Sequence, residues 1–252
     1  REAAGFVLGS MRDEEGRLLR TYKDGRAHLN AYLEDHAFLL EALLTLYEAT
    51  FETRWFTEAQ ALADVTIERF GDPERGGFYS TSTDHEDLIA RRKEVGDHPI
   101  PSGNSSAALG LLRLTALTGD RKYEDHAVEV FQLFAKPAIE HPDAFAHLLR
   151  AQDFHLSPTH EVALVEIQRT LKNSPDEGQN SADAENCFAE LAAVVREKLR
   201  PHLVLAGGPE GATEPPLLQG RTTVEGKPAA YVCENFTCQL PVTDADDLRR
   251  QL

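Results

Sequence analysis

The chain writes one pattern of apolar and aromatic residues twice at a fixed spacing. Leu43, Leu44 and Leu46 recur as Leu111, Leu112 and Leu114. Thr50, Arg54, Trp55 and Ala59 recur as Thr118, Lys122, Tyr123 and Ala127, and every pair is offset by 68 residues. A constant offset marks a repeated structural unit whose neighbours share a core. This unit is longer than the common two-helix solenoid repeats, so it implies helical hairpins joined by long connections. Such connections are where binding and catalytic groups tend to sit.

Hydrophobic periodicity separates two kinds of helix. Residues 32–50 are apolar around most of the circumference, the mark of a helix covered on several sides. Residues 55–70 carry one stripe, Trp55, Ala59, Leu62, Ala63, Thr66 and Phe70, with charges elsewhere, as on a surface helix. Residues 104–118 and 121–135 repeat that contrast. Gly119 fits the left-handed position that ends a helix, and Asp120 fits the next N-cap. Residues 2–12 read as a helix with Phe6, Val7 and Met11 on its apolar side, 13–16 as a turn and 17–22 as a short strand. Residues 143–154 begin a further hairpin. The connection 71–102 is too long for an unstructured loop, and a small hairpin of 76–79 with 87–90 is expected within it.

After about residue 157 the pattern changes. Val162–Ile167 reads as a buried strand, 183–199 as a helix and His202–Leu205 as a second strand, together a β-α-β crossover. A Gly/Pro-rich loop over 206–228, a strand over Ala229–Cys233 and a final helix opened by Thr243 and Asp246 complete the chain. The expected fold is mainly α: a partial (α/α)6 toroid of helical hairpins over 1–157, an incomplete ring, followed by a small α/β region over 158–252.

A net charge of −16 with scattered Lys and Arg argues against nucleic acid, which needs clustered cations. The one basic run, Arg91-Arg92-Lys93, reads as a solvated loop in preference to an anion site. No apolar run approaches the roughly 18 residues of a membrane span, so no membrane partner is expected, and no signal peptide is evident. Three cysteines are too few for a disulfide framework, which favours a reducing cytoplasm. The opening Arg1-Glu2-Ala3-Ala4 is expected of a fragment of a longer protein.

Three loop-to-helix junctions carry candidate chemistry. His28, Asn30, Tyr32, Glu34, Asp35 and His36 place two carboxylates and two imidazoles at the start of an inner helix. Paired carboxylates near His suit general acid–base work, although a helix dipole alone favours acids there. Ser102, Gly103, Asn104 and Ser105 form either a capped buried helix start or a set of groups for a polyhydroxylated ligand. The loop from Asp84-His85-Glu86-Asp87 through Lys93 to Asp97-His98 is rich in Asp and His but matches no metal spacing. Cys233 and Cys238 are separated by four residues, unlike thioredoxin-type or zinc motifs, and read as two inert thiols in preference to a redox pair, the remaining alternative. Cys187 reads as core or partly buried. No motif for a metal or a cofactor is present, and none is expected.

Leu29–Leu40 (LNAYLEDHAFLL), Gly76-Gly77-Phe78-Tyr79, Pro101–Ser105 (PSGNS) and Ala229–Val242 (AAYVCENFTCQLPV) resemble the YyaL / spermatogenesis-associated protein 20 family, in family order through essentially the whole chain. The resemblance implies the C-terminal part of a protein with an N-terminal thioredoxin-like domain, a potential partner, followed by a six-hairpin α/α toroid. That toroid is similar to those of N-acylglucosamine 2-epimerases and six-hairpin glycosidases, which bind sugars in a funnel at one end of the inner helices. By that fold-level analogy, Asp35 and Glu34 would be the catalytic carboxylates. Tyr32, His28, Asn30, His36, Ser102, Asn104 and Lys93 would contact a small carbohydrate. His36 departs from the family, which usually has an aromatic there. A non-catalytic helical scaffold serving the thioredoxin-like domain is the competing expectation.

Overall fold

The computed structural model describes residues 1–85, 89–167 and 177–252, with the side chains of 177–185 outside that description. The chain is mainly α-helical with a small α/β region. It divides into two units: one comprises Arg1–Leu46, Arg54–Thr115 and Asp120–His155, the other Tyr47–Thr53, Ala116–Gly119 and Leu156–Leu252.

In the first unit, helix α1 (Glu2–Ser10) precedes an antiparallel hairpin of β1 (Leu19–Lys23) and β2 (Arg26–Asn30). Helix α1 is shorter than its apolar pattern suggested and buries no residue. The repeat then folds as two hairpins, α2 (Leu33–Thr50) with α3 (Thr53–Phe70), and α4 (Gly103–Thr118) with α5 (Arg121–Glu140). In α3 the expected stripe is buried, and Phe56 joins it. Gly119 takes a φ of +74° and the Asp120 carboxylate accepts from the Lys122 N–H, so α4 ends and α5 begins as their residues dictate. Helix α5 runs on past 135 through Pro137, because its buried stripe continues to Ala138. A 3-10 turn (Pro142–Phe145) leads into α6 (Ala146–Leu156).

Helices α2 and α4 lie side by side in the same direction, at a distance glycine permits. A β-carbon on Gly103 would meet Leu33 Cγ at 2.8 Å and the Glu34 backbone N at 3.0 Å; one on Gly110 would meet Leu40 Cδ2 at 2.7 Å. Further along, Arg113 Nη1 donates to Thr45 Oγ1 at 3.2 Å. Every residue of α4 from Gly103 to Leu112 is buried. Helix α2 differs from expectation: Leu33, His36, Ala37, Leu40, Leu43 and Leu44 form one buried stripe, whereas Ala42 and Thr45 are exposed. Helices α3 and α5 are tied by Tyr123 Oη donating to Asp64 Oδ1 (2.9 Å) and by Lys122 pairing with Asp64 (3.1 Å).

The long connection between the hairpins folds back on α3. Phe78 bridges Gly71, and the Tyr79 N–H donates to the Phe70 carbonyl at 2.8 Å. Residues 76–79 therefore do not pair with Ile89 and Ala90, which form no strand; Asp87 and Leu88 lie outside the described residues.

The second unit is built on a sheet of order β4-β3-β5-β6. Strand β3 (His160–Glu166) runs parallel to β4 (Leu203–Pro209), and α7 (Glu177–Arg196) lies in the crossover between them. Strand β4 extends into the stretch expected as a Gly/Pro-rich loop, because Gly207 and Gly208 keep the ladder with β3. Strand β5 (Ala229–Glu234) is antiparallel to β3, and β6 (Thr237–Cys238) is antiparallel to β5. Val162, Leu164, Leu191, Val195, Leu205, Val232 and the Leu248 of α8 (Ala245–Gln251) make the core. Asp244, not Thr243, caps α8, accepting from the Asp246 and Asp247 N–H groups. The reading of Cys233 and Cys238 as two separate thiols is corrected: they face each other in register and form a disulfide. Cys187 is free and half-buried. Among the described residues, no helix is long and apolar enough to cross a membrane.

Candidate functional site

The N-terminal end of α2 is assembled from three segments distant in sequence. The Leu33 N–H donates to the Ser80 carbonyl at 3.0 Å, and the Ser80 N–H donates to the Arg92 carbonyl at 2.7 Å. These two bonds bring residues 32–34, 80 and 92–94 around one open pocket of about 330 Å³, lined by Tyr32, Leu33, Glu34, Ser80, Arg92, Lys93 and Glu94. Small-molecule sites usually span about 300–1,000 Å³, so this pocket is at the lower end of that range. Of the candidates, it gathers Tyr32, Glu34 and Lys93.

Its walls are charged and braced. Arg20, from β1, donates Nη2 to Glu34 Oε1 at 2.8 Å and Nη1 to Asp35 Oδ2 at 3.2 Å, and its guanidinium lies 4.7 Å from the Tyr32 ring centroid. Partial burial works to lower the Arg20 pKa, but Glu34 and Asp35 outweigh it and raise the value. His85 stacks on Tyr32 at 5.4 Å. Lys93 pairs with the buried Asp72 at 2.7 Å and also donates to the Gly76 carbonyl. The Lys93 hydrogen bond is the first cause holding the Asp72 carboxyl well below the usual range. Lys93 is thus a fixed strut at the pocket wall. Arg92 is exposed and Glu94 half-buried, and neither makes a side-chain ion pair among the described residues.

The other candidates sit elsewhere. Asp35 Oδ2 accepts from the Tyr32 N–H at 2.8 Å, closing the first turn of α2 as the acid of a capping box does. His28 is exposed on β2. Asn30 and His36 line a separate void of about 20 Å³ together with Arg17, Arg69 and Asp84. His36 is buried, packs against Phe70 with tilted rings at 4.8 Å and contacts the Tyr32 carbonyl through Nδ1 at 3.0 Å; burial pushes its pKa down. Ser102 Oγ accepts from the Ser105 N–H at 3.1 Å and so caps α4. Asn104 is fully buried, accepting from the Phe78 N–H and donating to the Phe78 carbonyl, both at 2.9 Å.

Several contributors carried no local signal. Arg20 and Asp72 act through partners 14 to 21 residues away. Asp97, part of the Asp/His-rich loop, is a double cap: Oδ1 accepts from the Ser102 N–H (2.9 Å) and Oδ2 from the His147 N–H (2.7 Å). The basic run splits three ways. Arg91 donates to the carbonyls of Arg69 and Thr81, Arg92 lines the pocket and Lys93 pairs with Asp72. Among the described residues, no group of three or more His, Cys, Asp or Glu side chains is placed to hold a metal ion.

No family model matches the chain. It is 31% identical to human spermatogenesis-associated protein 20 over 99% of its own length and 32% of that protein's. The rat protein of the same name is 30% identical over 88% of the chain and 27% of the relative. An uncharacterized protein of Caenorhabditis elegans is 26% identical over 98% of the chain and 33% of the relative. The chain spans about a third of the length of the curated relatives it matches.

Proposed function

Taking the chain as a homologue of part of spermatogenesis-associated protein 20, we propose that its helical unit belongs to a six-hairpin α/α toroid that binds a small carbohydrate at the N-terminal end of α2, in a cytoplasmic protein that also carries an N-terminal thioredoxin-like domain. The observation that carries the ligand reading is the pocket itself. Glu34, Glu94 and Arg92 line a single opening, with Lys93 held at its wall by Asp72. Carboxylates accept and guanidinium or ammonium groups donate, so such a wall suits vicinal hydroxyls, which do both. Glu34 and Asp35, joined by Arg20, are the candidates for acid–base work of an epimerase or glycosidase kind.

Titration of the full-length protein with monosaccharides and N-acyl amino sugars tests this, followed by calorimetry or ligand-observed NMR. Binding that weakens at least tenfold in E34Q and R92A supports the reading. Binding that is absent, or unchanged in both variants, sinks it.

The scaffold reading is favoured by a different observation. Asn104 spends both polar amide atoms on the Phe78 backbone, Ser102 Oγ caps α4 and Asp35 Oδ2 closes the first turn of α2. On that reading, D35N and N104A lower stability and leave every ligand and turnover measurement at the wild-type baseline.

A further inference from the structure

The hairpin of β5 and β6 carries the Cys233–Cys238 disulfide between its two strands. Its two-residue turn places Asn235 at φ +50° and Phe236 at φ +60°, the left-handed pair that a tight hairpin demands. That turn sets Cys233 opposite Cys238. The two sulfurs differ in access: Cys233 is 2% exposed, while Cys238 is exposed on the last strand of the sheet. An open pocket of about 390 Å³, with His160, Asn235 and Gln239 on its walls, adjoins both.

One side chain is aimed at both sulfurs. Arg221 Nη2 lies 3.2 Å from Cys233 Sγ and 3.0 Å from Cys238 Sγ. Its Nε is buried without an acceptor; its Nη1 reaches the Gln219 carbonyl at 3.4 Å, and the Glu161 carboxylate attracts it without forming a direct ion pair. Burial pushes the Arg221 pKa down. A half-buried cation with no direct ion pair is costly, and a disulfide sulfur is a weak acceptor. A cysteine thiolate in the same place is an anion at hydrogen-bond distance, and a neighbouring Arg favours the thiolate form. The hairpin is also held from below. Glu161, buried on β3 in register with Cys233, accepts the Phe236 N–H at 2.7 Å.

We propose that Cys233–Cys238 is a thiol–disulfide exchange site whose co-reactant is a dithiol and whose reduced form is held by Arg221. A thiolate of the dithiol attacks the accessible Cys238 Sγ, forming a mixed disulfide. The Cys233–Cys238 bond breaks and its electron pair leaves on Cys233 Sγ, beside Arg221. The second thiol of the co-reactant, deprotonated, then attacks its own sulfur in the mixed disulfide and releases Cys238. The dithiol loses two electrons and becomes a disulfide, and the two cysteine sulfurs gain them. The two protons given up by the dithiol are taken up by the cysteines or by solvent, with Cys233 the last to be protonated. Run in reverse, the same steps oxidise a dithiol partner.

The test equilibrates the whole chain with reduced and oxidised dithiothreitol over a range of ratios. Free thiols are trapped with a maleimide and counted by mass, in wild type, R221Q and R221K. The expected result is reversible gain of two thiols together, with R221Q needing about a tenfold more reducing ratio, the equivalent of one unit of thiol pKa, and R221K close to wild type. In the reduced protein, the pH midpoint for alkylating Cys233 should rise by about one unit in R221Q. Cys187, whose thiol pKa is raised by burial, serves as the internal control and should not respond. Three results overturn the proposal: two thiols that never pair under oxidising ratios, a disulfide that dithiol cannot open, or R221Q and wild type with the same ratio and alkylation profile. R221K and circular dichroism separate loss of the cation from loss of the fold.

Discussion

Gly110 approaches Leu40 so closely that a β-carbon on it would lie 2.7 Å from Leu40 Cδ2 and 2.9 Å from Cγ. Seven residues earlier, Gly103 stands in the same relation to Leu33. The two glycines fall on one face of α4, two helical turns apart, and the two leucines on one face of α2. This close approach holds the buried helices of the two hairpins in register and places the N-terminal end of α2 beside that of α4.

Ala at 110 is therefore expected to force Leu40 off its site inside a filled core, costing about 1–3 kcal/mol. Gly5, in α1, has nothing within 4 Å of an added β-carbon, so G5A should be neutral or stabilise by up to about 1 kcal/mol through helix propensity. Urea denaturation of both variants measures the contrast. Equal midpoints for G110A and wild type would show that the helices do not need the glycine.

Asn104 and Phe78 form a closed pair, with both polar atoms of the amide spent on one residue's backbone. Truncation in N104A leaves a buried N–H and a buried carbonyl unmatched, at about 1–3 kcal/mol each. The loss should be the same with and without any sugar present. A variant that keeps wild-type stability but loses ligand would instead return Asn104 to the binding role that its position in PSGNS suggested.

Asp97 gathers the N-terminal ends of α4 and α6 on one carboxylate. Burial alone would raise its pKa, but the Ser102 N–H, the Ser105 hydroxyl and the His147 and Leu148 N–H groups outweigh burial and hold it below the usual value. A folded pKa below the unfolded one means that the ionised form is preferred by the folded state. Its stabilisation is fully present above the unfolded value of about 3.9 and fades as pH falls through the folded value. D97A should cost about 1–3 kcal/mol at pH 7, and the gap to wild type should narrow in acid. A gap that stays constant from pH 7 to below pH 3 would mean that the carboxylate charge is not what holds the two helix ends.

What could be read ahead of the structure divides by distance along the chain. Trp55, Ala59, Leu62, Ala63, Thr66 and Phe70 are buried because a 3.6-residue period is a local property. Asp120 caps α5 because a cap acts on residues two or three away. The parallel pairing of β3 with β4 was legible from two apolar runs flanking a helical pattern. The pocket was not. Glu34 and Asp35 meet Arg20, Lys93 meets Asp72 and Asp97 reaches His147 fifty residues on, pairings that exist only once the connections have folded. The Cys233–Cys238 bond was hidden for a related reason: a four-residue spacing matches no redox motif, and only the two-residue turn at Asn235 and Phe236 brings the sulfurs together.

Tyr47 provides a last check, in the second unit. Gly207 lies on β4, the edge strand beside β3, and its N–H donates to Tyr47 Oη at 3.2 Å. The Tyr47 hydroxyl also contacts the Gly207 carbonyl at 3.4 Å. A single phenol thus occupies groups on the open side of β4 that would otherwise be left unmatched, as natural sheets require of an edge strand. Burial raises the Tyr47 pKa, so the hydroxyl stays protonated and able to donate. Y47F keeps the ring and removes the oxygen, leaving the Gly207 N–H unmatched in a buried site, at an expected cost of about 1–3 kcal/mol. G207A attacks the same place sterically, since its β-carbon would lie 2.6 Å from the Phe51 ring. Hydrogen exchange at the Gly207 amide reads the bond directly. Protection should fall in Y47F, and unchanged protection would show that the edge is closed by something other than the Tyr47 hydroxyl.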